Sequence, residues 1–272
     1  MTTRIANRYE GVPAENLAAR WGIPALHLYE RVGSTNDVAR ALADEGAPAG
    51  TVVLAEEQVA GRGRGGKGWA SAPGLGIWLS IVLRPDALPS PGLLPILVGL
   101  AAAEAVDEFA RPAVARVKWP NDLYFGERKA GGILCEGSWD AGKPAAVIVG
   151  IGLNVLHLPD DFPEEVRDTA TSLRIAAGWA PPRAEVAGAI VREVMRGLAS
   201  PPERLSGALL DRMRRRDALL GRPVRVTGAE ELDGIAMGVT PEGALLVRSD
   251  GVLRSVKAGT VRATGPALAS AE

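Results

Sequence analysis

Residues Gly76–Leu83, GIWLSIVL, form an almost unbroken apolar run of strand length. Such a run stays out of water only in the middle of a sheet that is covered on both faces. The chain must therefore build a central sheet with other elements packed on it. Its 272 residues suffice for one large domain, or a large one plus a small one. Lys and Arg number 31 against 32 Asp and Glu, so there is no basic excess to coat nucleic acid or an anionic membrane, and any anion site must be local. The single Cys135 excludes an internal disulfide framework and a cysteine zinc cluster, and reads as a small core residue. The start lacks the apolar core of a signal peptide. The longest apolar stretch, around Gly92–Val106, is interrupted by Pro95, Gly99 and Glu104, so a cytoplasmic protein is expected.

Taken in order, Ala14–Trp21 has a short helical pattern with Leu17 and Trp21 on one face. Residues 1–26 are too short for a helix-turn-helix domain, so no N-terminal DNA reader is expected. His27–Arg31 reads as a strand, followed by a helix start with Ser34 as N-cap and Asp37 three residues on. A helix N-terminus after a strand also presents N–H groups and hydroxyls, which makes Ser34, Thr35 and Asn36 site candidates. Strands are predicted at Thr51–Gln58, Val114–Lys118, Leu123–Phe125, Lys129–Glu136 and Ala145–Gly150, and helices at Gly92–Phe109, Pro181–Leu198 and Glu203–Leu220. The arginines of Arg212–Arg216 read as a solvated helix face. From Arg222 onward, short β runs at Pro223–Val226, Gly234–Val239, Ala244–Val247 and Val252–Val256 alternate with glycine turns. They suggest a small barrel of about 45 residues docked on its neighbour, with a fraying tail after Gly265.

The chemistry concentrates in four places. Gly61–Trp69, GRGRGGKGW, packs five glycines and three cations beside one indole, a composition that is entropically costly to order unless an anion comes with it. Glycines let backbone N–H groups approach an anion, and arginine supplies a fork of donors. At Lys118-Trp119-Pro120-Asn121-Asp122 the proline stiffens a bend that displays Lys118, Asn121 and Asp122. Lys129 precedes Gly131 and Gly132, which offer close approach, and Asn154 follows Gly150 and Gly152. No Ser-His-Asp or Cys-His set is visible, and neither His27 nor His157 has metal-ligand spacing. The loop has the letters of G-x-G-x-x-G without the helix pattern that should follow. Several cations and a flat aromatic remain, a set suited to joining a carboxylate to a nucleotide phosphate.

GRGRGGKGW at 61–69, KWPND at 118–122, KAGGIL at 129–134 and GIGLNV at 150–155, in this order, resemble the biotin protein ligases (biotin-[acetyl-CoA-carboxylase] ligases). Ser34-Thr35-Asn36, Gln58 and the C-terminal β segment extend the resemblance over residues 25 to 263. It implies an α+β fold: a central mixed β-sheet flanked by helices, related to class II synthetase catalytic domains, over residues 1–220, with about 1–24 as an extension. A small SH3-like barrel over 221–265 and a tail over 266–272 would follow.

The resemblance also implies ATP-dependent biotinylation of a lysine on a biotin carboxyl carrier domain through biotinyl-5′-AMP. ATP and Mg²⁺ would take part, the Mg²⁺ held by phosphates rather than by protein ligands. Ser34, Thr35 and Gln58 would take the ureido end of biotin, with Asn36 nearby. Arg62, Gly63 and Arg64 would meet carboxylate and phosphate, with the backbone at Gly131 and Gly132 close by. Lys129 would sit at the carboxylate–phosphate junction, Trp69 would cover the adenine, and Asn121 and Asn154 would reach the nucleotide. Asp122 would orient or deprotonate the acceptor lysine, or else hold Lys118 or the metal. The form implied is monofunctional, with no DNA or membrane partner, and a homodimer is left open. A lipoate or octanoate ligase or transferase on the same fold, and a nucleic-acid binder using the Gly/Arg loop, are the alternatives.

Overall fold

The computed structural model describes residues 3–84, 92–140, 143–228 and 230–267; the last residues of the expected tail lie outside this set. In chain order the first part comprises β1 (Arg4–Ala6), β2 (Arg8–Tyr9), β3 (Val12–Pro13), α1 (Ala14–Trp21), β4 (Leu26–Val32), α2 (Thr35–Asp44), β5 (Val52–Gln58), β6 (Gly76–Leu83), α3 (Leu94–Ala110), β7 (Ala115–Lys118), β8 (Asp122–Phe125), β9 (Arg128–Asp140) and β10 (Lys143–Asn154). Then follow α4 (Leu173–Ala177), α5 (Arg183–Leu198), α6 (Gly207–Arg216), β11 (Pro223–Thr227), β12 (Leu232–Val239), β13 (Leu245–Ser249), β14 (Val252–Val256) and β15 (Thr260–Ala263).

Eight strands form one sheet in the order β1-β4-β5-β6-β10-β9-β8-β7. The apolar run becomes β6, buried at every position between β5 and β10. Only β4 and β5 are parallel, joined by α2 as the crossover that such a pair requires; every other neighbouring pair is antiparallel, so the sheet is mixed. One face packs on α3 and α5. Helix α3 is apolar nearly all round and correspondingly buried, and Pro95 does not break it, because the helix begins at Leu94 and places the proline in its first turn. On the other face, α2 covers only Val53, Val82, Ala146 and Ile148 with Ala39 and Ala43, leaving one end of that face open.

Register decides what faces the opening. Cross-strand rows place Asp122, Gly132, Gly152 and Trp78 in one line, and Leu134, Gly150 and Ser80 in the next. Residues two apart share a face, so Gly132, Gly150, Gly152 and Asn154 all border the open end.

The N-terminal residues are woven in. β1 pairs with β4, and Tyr9, Leu17 and Trp21 are buried in the main core. Glu10 and Glu56 both pair with the buried Arg183 at the start of α5. Two arginines of the 212–216 run depart from a purely solvated face: Arg212 pairs with Glu104, and Arg216 with Asp107 and the Ala115 carbonyl, docking α6 on α3 and β7.

The C-terminal strands form an antiparallel sheet in the order β14-β13-β12-β11-β15. The fifth strand, Thr260–Ala263, escapes the sequence pattern because it buries one side chain well, Val261. This sheet is anchored on the large one through Trp119, buried to 1% exposure, whose indole N–H donates to the Gly243 carbonyl at 2.9 Å. Cys135, read as a core residue, is only half-buried and packs against the edge of the core, where burial pushes its thiol up to about 12.

Candidate active site

The open end of the sheet is a cleft of about 1170 Å³. It is lined by Ser34, Thr35, Asn36, Gln58, Arg62, Gly63, Arg64, Lys67, Trp69, Lys118, Asn121, Asp122, Lys129, Gly132 and Asn154, residues drawn from all four motifs and from the Ser34–Asn36 helix start and Gln58. Gly131 is the exception among the candidates. One residue out of phase with Gly132, it faces Leu123 and Leu153, so it packs strands together rather than bordering the cleft.

The glycines of β10 have specific work. A Cβ on Gly150 would lie 2.3 Å from Asn36 Oδ1, and one on Gly152 would lie 2.7 Å from Trp69 Nε1. The two bare positions are therefore slots, one for the Asn36 amide and one for the indole. Trp69 stands edge-on to Trp78 with ring centroids 6.5 Å apart.

One end of the cleft is neutral and hydrogen-bonded. The Thr35 N–H donates to Gln58 Oε1 at 2.8 Å, and Gln58 Nε2 donates to Ser71 Oγ at 2.9 Å. Asn36 Nδ2 donates to Glu136 at 2.6 Å, and Ser80 Oγ lies 2.6 Å from Asn36 Oδ1. Ser34 occupies the N-cap position of α2 without a side-chain cap bond. Asp37 is turned outward to a bidentate pair with Arg62, whose hydrogen bonds hold the Asp37 carboxyl below the usual range.

The other end is cationic. Lys129 Nζ lies 2.6 Å from Asp122 Oδ1 and 5.1 Å from the Trp69 ring centroid, while Lys118 Nζ is 3.9 Å from Asp122 Oδ2. Asp122 thus holds Lys129 more closely than Lys118. Burial lowers the pKa of Lys118, with Asp122 opposing the shift. Asn121 donates to the Ile133 carbonyl at 2.7 Å and Asn154 to the Thr171 carbonyl at 3.1 Å, so both amides also fasten neighbouring chain segments.

The glycine loop is a small hairpin closed by Trp69 N–H to Gly61 O at 2.9 Å and Gly63 N–H to Lys67 O at 2.7 Å. Its turn uses Gly65 and Gly66 at φ of 68° and 73°, where a side chain would be strained. Both of its arginines have partners. Arg62 has Asp37, and Arg64 donates to the Gly259 carbonyl of the C-terminal sheet.

Sequence reasoning missed several contributors. Gly259, Thr260 and Val261 border the cleft from the C-terminal sheet, and nothing in their local pattern announces it. His157 also borders it, stacked on Phe162 at 4.9 Å and 3% exposed, with burial lowering its pKa to about 4. Ser80 had a signal: it is the one hydroxyl inside the apolar run.

Among the described residues no group of His, Cys, Asp and Glu could hold a metal ion. Among the same residues no helix is long and apolar enough to cross a membrane. A neutral, amide-lined end, a cluster of ammonium groups and a half-buried indole define a cleft for a ligand with one polar uncharged end and one anionic end.

Comparison with known proteins gives that class a lineage. Residues 28–154 match the Biotin/lipoate A/B protein ligase family, and residues 219–262 match the Biotin protein ligase C terminal domain. The chain is 34% identical over 252 residues to the biotin-[acetyl-CoA-carboxylase] ligase of Mycobacterium tuberculosis, covering 90% of this chain and 91% of that one. It is 42% identical over 154 residues to the bifunctional ligase/repressor BirA of Bacillus subtilis, covering 56% of this chain and 47% of BirA, so it spans about half the length of that relative. The structure of the Aquifex aeolicus biotin protein ligase in complex with biotin and ATP superposes with a TM-score of 0.79 at 29% identity, over 89% of this chain and 100% of the other. The chain belongs to the biotin protein ligase family.

Proposed function

We propose that the chain joins biotin to ATP as biotinyl-5′-AMP and passes the biotinyl group to a lysine of a biotin carboxyl carrier domain. The observation that carries this proposal is the division of the cleft between a neutral hydrogen-bonding end at Thr35, Asn36 and Gln58 and a cationic end at Lys118 and Lys129, with Trp69 between them. A cyclic urea suits the first end. A carboxylate and an α-phosphate, which repel each other, need the second.

In this reading Lys129 leaves Asp122 for the junction of the two anions and stabilises charge as the carboxylate oxygen attacks the α-phosphorus and pyrophosphate departs. The same ammonium serves when the acceptor amine attacks the acyl carbon and AMP departs. Asp122, released from Lys129, is then placed to orient the acceptor lysine and to take the proton its amine gives up as the amide forms. Arg62 and Arg64 exchange Asp37 and the Gly259 carbonyl for ligand oxygens, and the Trp69 face covers the adenine. Asn121 and Asn154 lie on the nucleotide side. Mg²⁺ would arrive on the triphosphate, and no step here depends on a protein-held ion. The working unit would span residues 1–220 with a barrel over 221–265, act in the cytoplasm, and need neither DNA nor membrane.

The test is biotin-dependent exchange of labelled pyrophosphate into ATP, with lipoate as the control. Exchange with biotin and none with lipoate is expected. Exchange with lipoate alone would transfer the chain to lipoate chemistry, and no exchange with either would refute the adenylating function.

A further inference from the structure

Neither Ser80 nor Glu136 lines the cleft, yet both belong to a hydrogen-bonded line that passes through Thr35. The line runs through Gln58 Oε1, Thr35 Oγ1, Ser80 Oγ and Asn36 Oδ1, with separations of 3.0, 2.8 and 2.6 Å. Both of its ends are acceptors. At one end the Thr35 backbone N–H donates to Gln58 Oε1, and Gln58 Nε2 donates to Ser71, which fixes the Gln58 amide. At the other, Asn36 Nδ2 faces Glu136 Oε2 at 2.6 Å and the Leu134 carbonyl at 3.5 Å. An ionised carboxylate and a carbonyl only accept, so the Asn36 nitrogen must face them and its oxygen must face Ser80. Gly150 leaves the slot in which that amide lies, and Arg40 steadies the same Glu136 oxygen at 3.3 Å.

Three oxygen–oxygen contacts therefore share two protons, those of the Thr35 and Ser80 hydroxyls. One donor is missing. Thr35 has no proton to offer a ligand unless a second contact is left bare, and a buried bare contact is costly.

We propose that Glu136 is a positioning residue which, through Asn36 and Ser80, keeps the Thr35 end of the cleft one donor short, so that it selects a ligand group bearing N–H donors. A cyclic urea is of that class, and the inference rests on the biotin reading above. Glu136→Gln relaxes the constraint: with its oxygen turned to Arg40 the new side chain can face Asn36 with its nitrogen, and only the 3.5 Å contact with the Leu134 carbonyl still calls for the Asn36 nitrogen. The new amide can donate to Asn36 Oδ1, allowing Asn36 to turn over and give Ser80 a proton; Ser80 then donates to Thr35, and Thr35 to Gln58. The missing donor is supplied from within, and the ligand N–H loses its advantage.

The experiment is calorimetric titration of the full chain with biotin and with the two cyclic carbamate analogues in which one ureido N–H is replaced by oxygen. Glu136→Gln should weaken biotin about tenfold while leaving one carbamate within about twofold of its wild-type affinity, the scale of one misdirected buried hydrogen bond. Ser80→Ala interrupts the line with the Glu136 charge intact. It should weaken biotin similarly, and adding Glu136→Gln to it should cost nothing more. Equal losses for biotin and both carbamates, unchanged biotin affinity in Glu136→Gln, or additive losses in the double variant would overturn the proposal. Wild-type chain that fails to bind biotin would overturn the functional reading itself, a result distinct from any of these.

Discussion

The two slots of β10 can be closed one at a time. Gly152→Ala puts a Cβ 2.7 Å from Trp69 Nε1 and 2.9 Å from Cε2, well inside the roughly 3.5–4 Å of ordinary carbon contact, so the indole must move by several tenths of an ångström or more. Trp69 cannot simply absorb that shift, because it is flanked by Trp78 and Lys129. Losing an aromatic cover over a base costs about 1–3 kcal/mol, or about five- to 150-fold in nucleotide affinity. Gly150→Ala strikes elsewhere: its Cβ would lie 2.3 Å from Asn36 Oδ1 and nowhere near the indole. Steady-state pyrophosphate exchange separates the two. Gly152→Ala should raise the KM for ATP within that range and leave the KM for biotin nearly unchanged, and Gly150→Ala should do the reverse. If both substitutions raise both constants by the same factor, the two slots do not serve two ligands, and the division of the cleft is wrong.

Removing an ammonium from the anion junction should be expensive. Lys129→Ala is expected to cut single-turnover adenylate formation by about 10²–10³-fold with the thermal midpoint little changed, on the scale of losing one aimed donor. Arg64→Ala should cut it less. Asp217 offers a pH test. Buried to 4% exposure with Oδ2 unpaired, its carboxyl is raised by burial from 3.8 to about 6. The folded chain thus keeps a proton that the unfolded chain has lost, so stability falls as pH rises through that window. Asp217→Asn should gain up to ~3 kcal/mol at pH 7.5 and little below pH 4, read from urea midpoints, because the shift from 3.8 to about 6 is worth 1.36 kcal/mol per unit. His157, lowered to about 4, contributes the opposite slope, so the variant should lose stability steeply on acidification where wild type is nearly flat. An equal gain at both pH values would refute the assignment.

Local pattern carried most of the architecture. An apolar octapeptide broken only by Ser80 fits an inner strand, and β6 is buried throughout. Ala14–Trp21 matches its helix residue for residue, because its amphipathic spacing and the Gly22 that ends it are both short-range signals. The candidate residues were legible for a related reason: cations among glycines are poor core material, and nearly all of them border one cleft.

Two kinds of fact were not legible. The first is phase. Gly131 and Gly132 are identical letters, and only the register of β9 against β10 turns one to the cleft and the other to Leu123 and Leu153. The second is partnership across long chain separations. Arg64 meets the Gly259 carbonyl, Trp119 the Gly243 carbonyl, and Asn36 the Glu136 carboxylate, and no local periodicity relates such positions. The sequence by itself determined the residue types available for chemistry and the segments that carry them, because composition and short-range spacing act within a few residues. Tertiary structure alone decided which glycine is a slot, which carboxylate holds which cation and which way each amide points, because those depend on sheet register and on packing between segments up to about 200 residues apart.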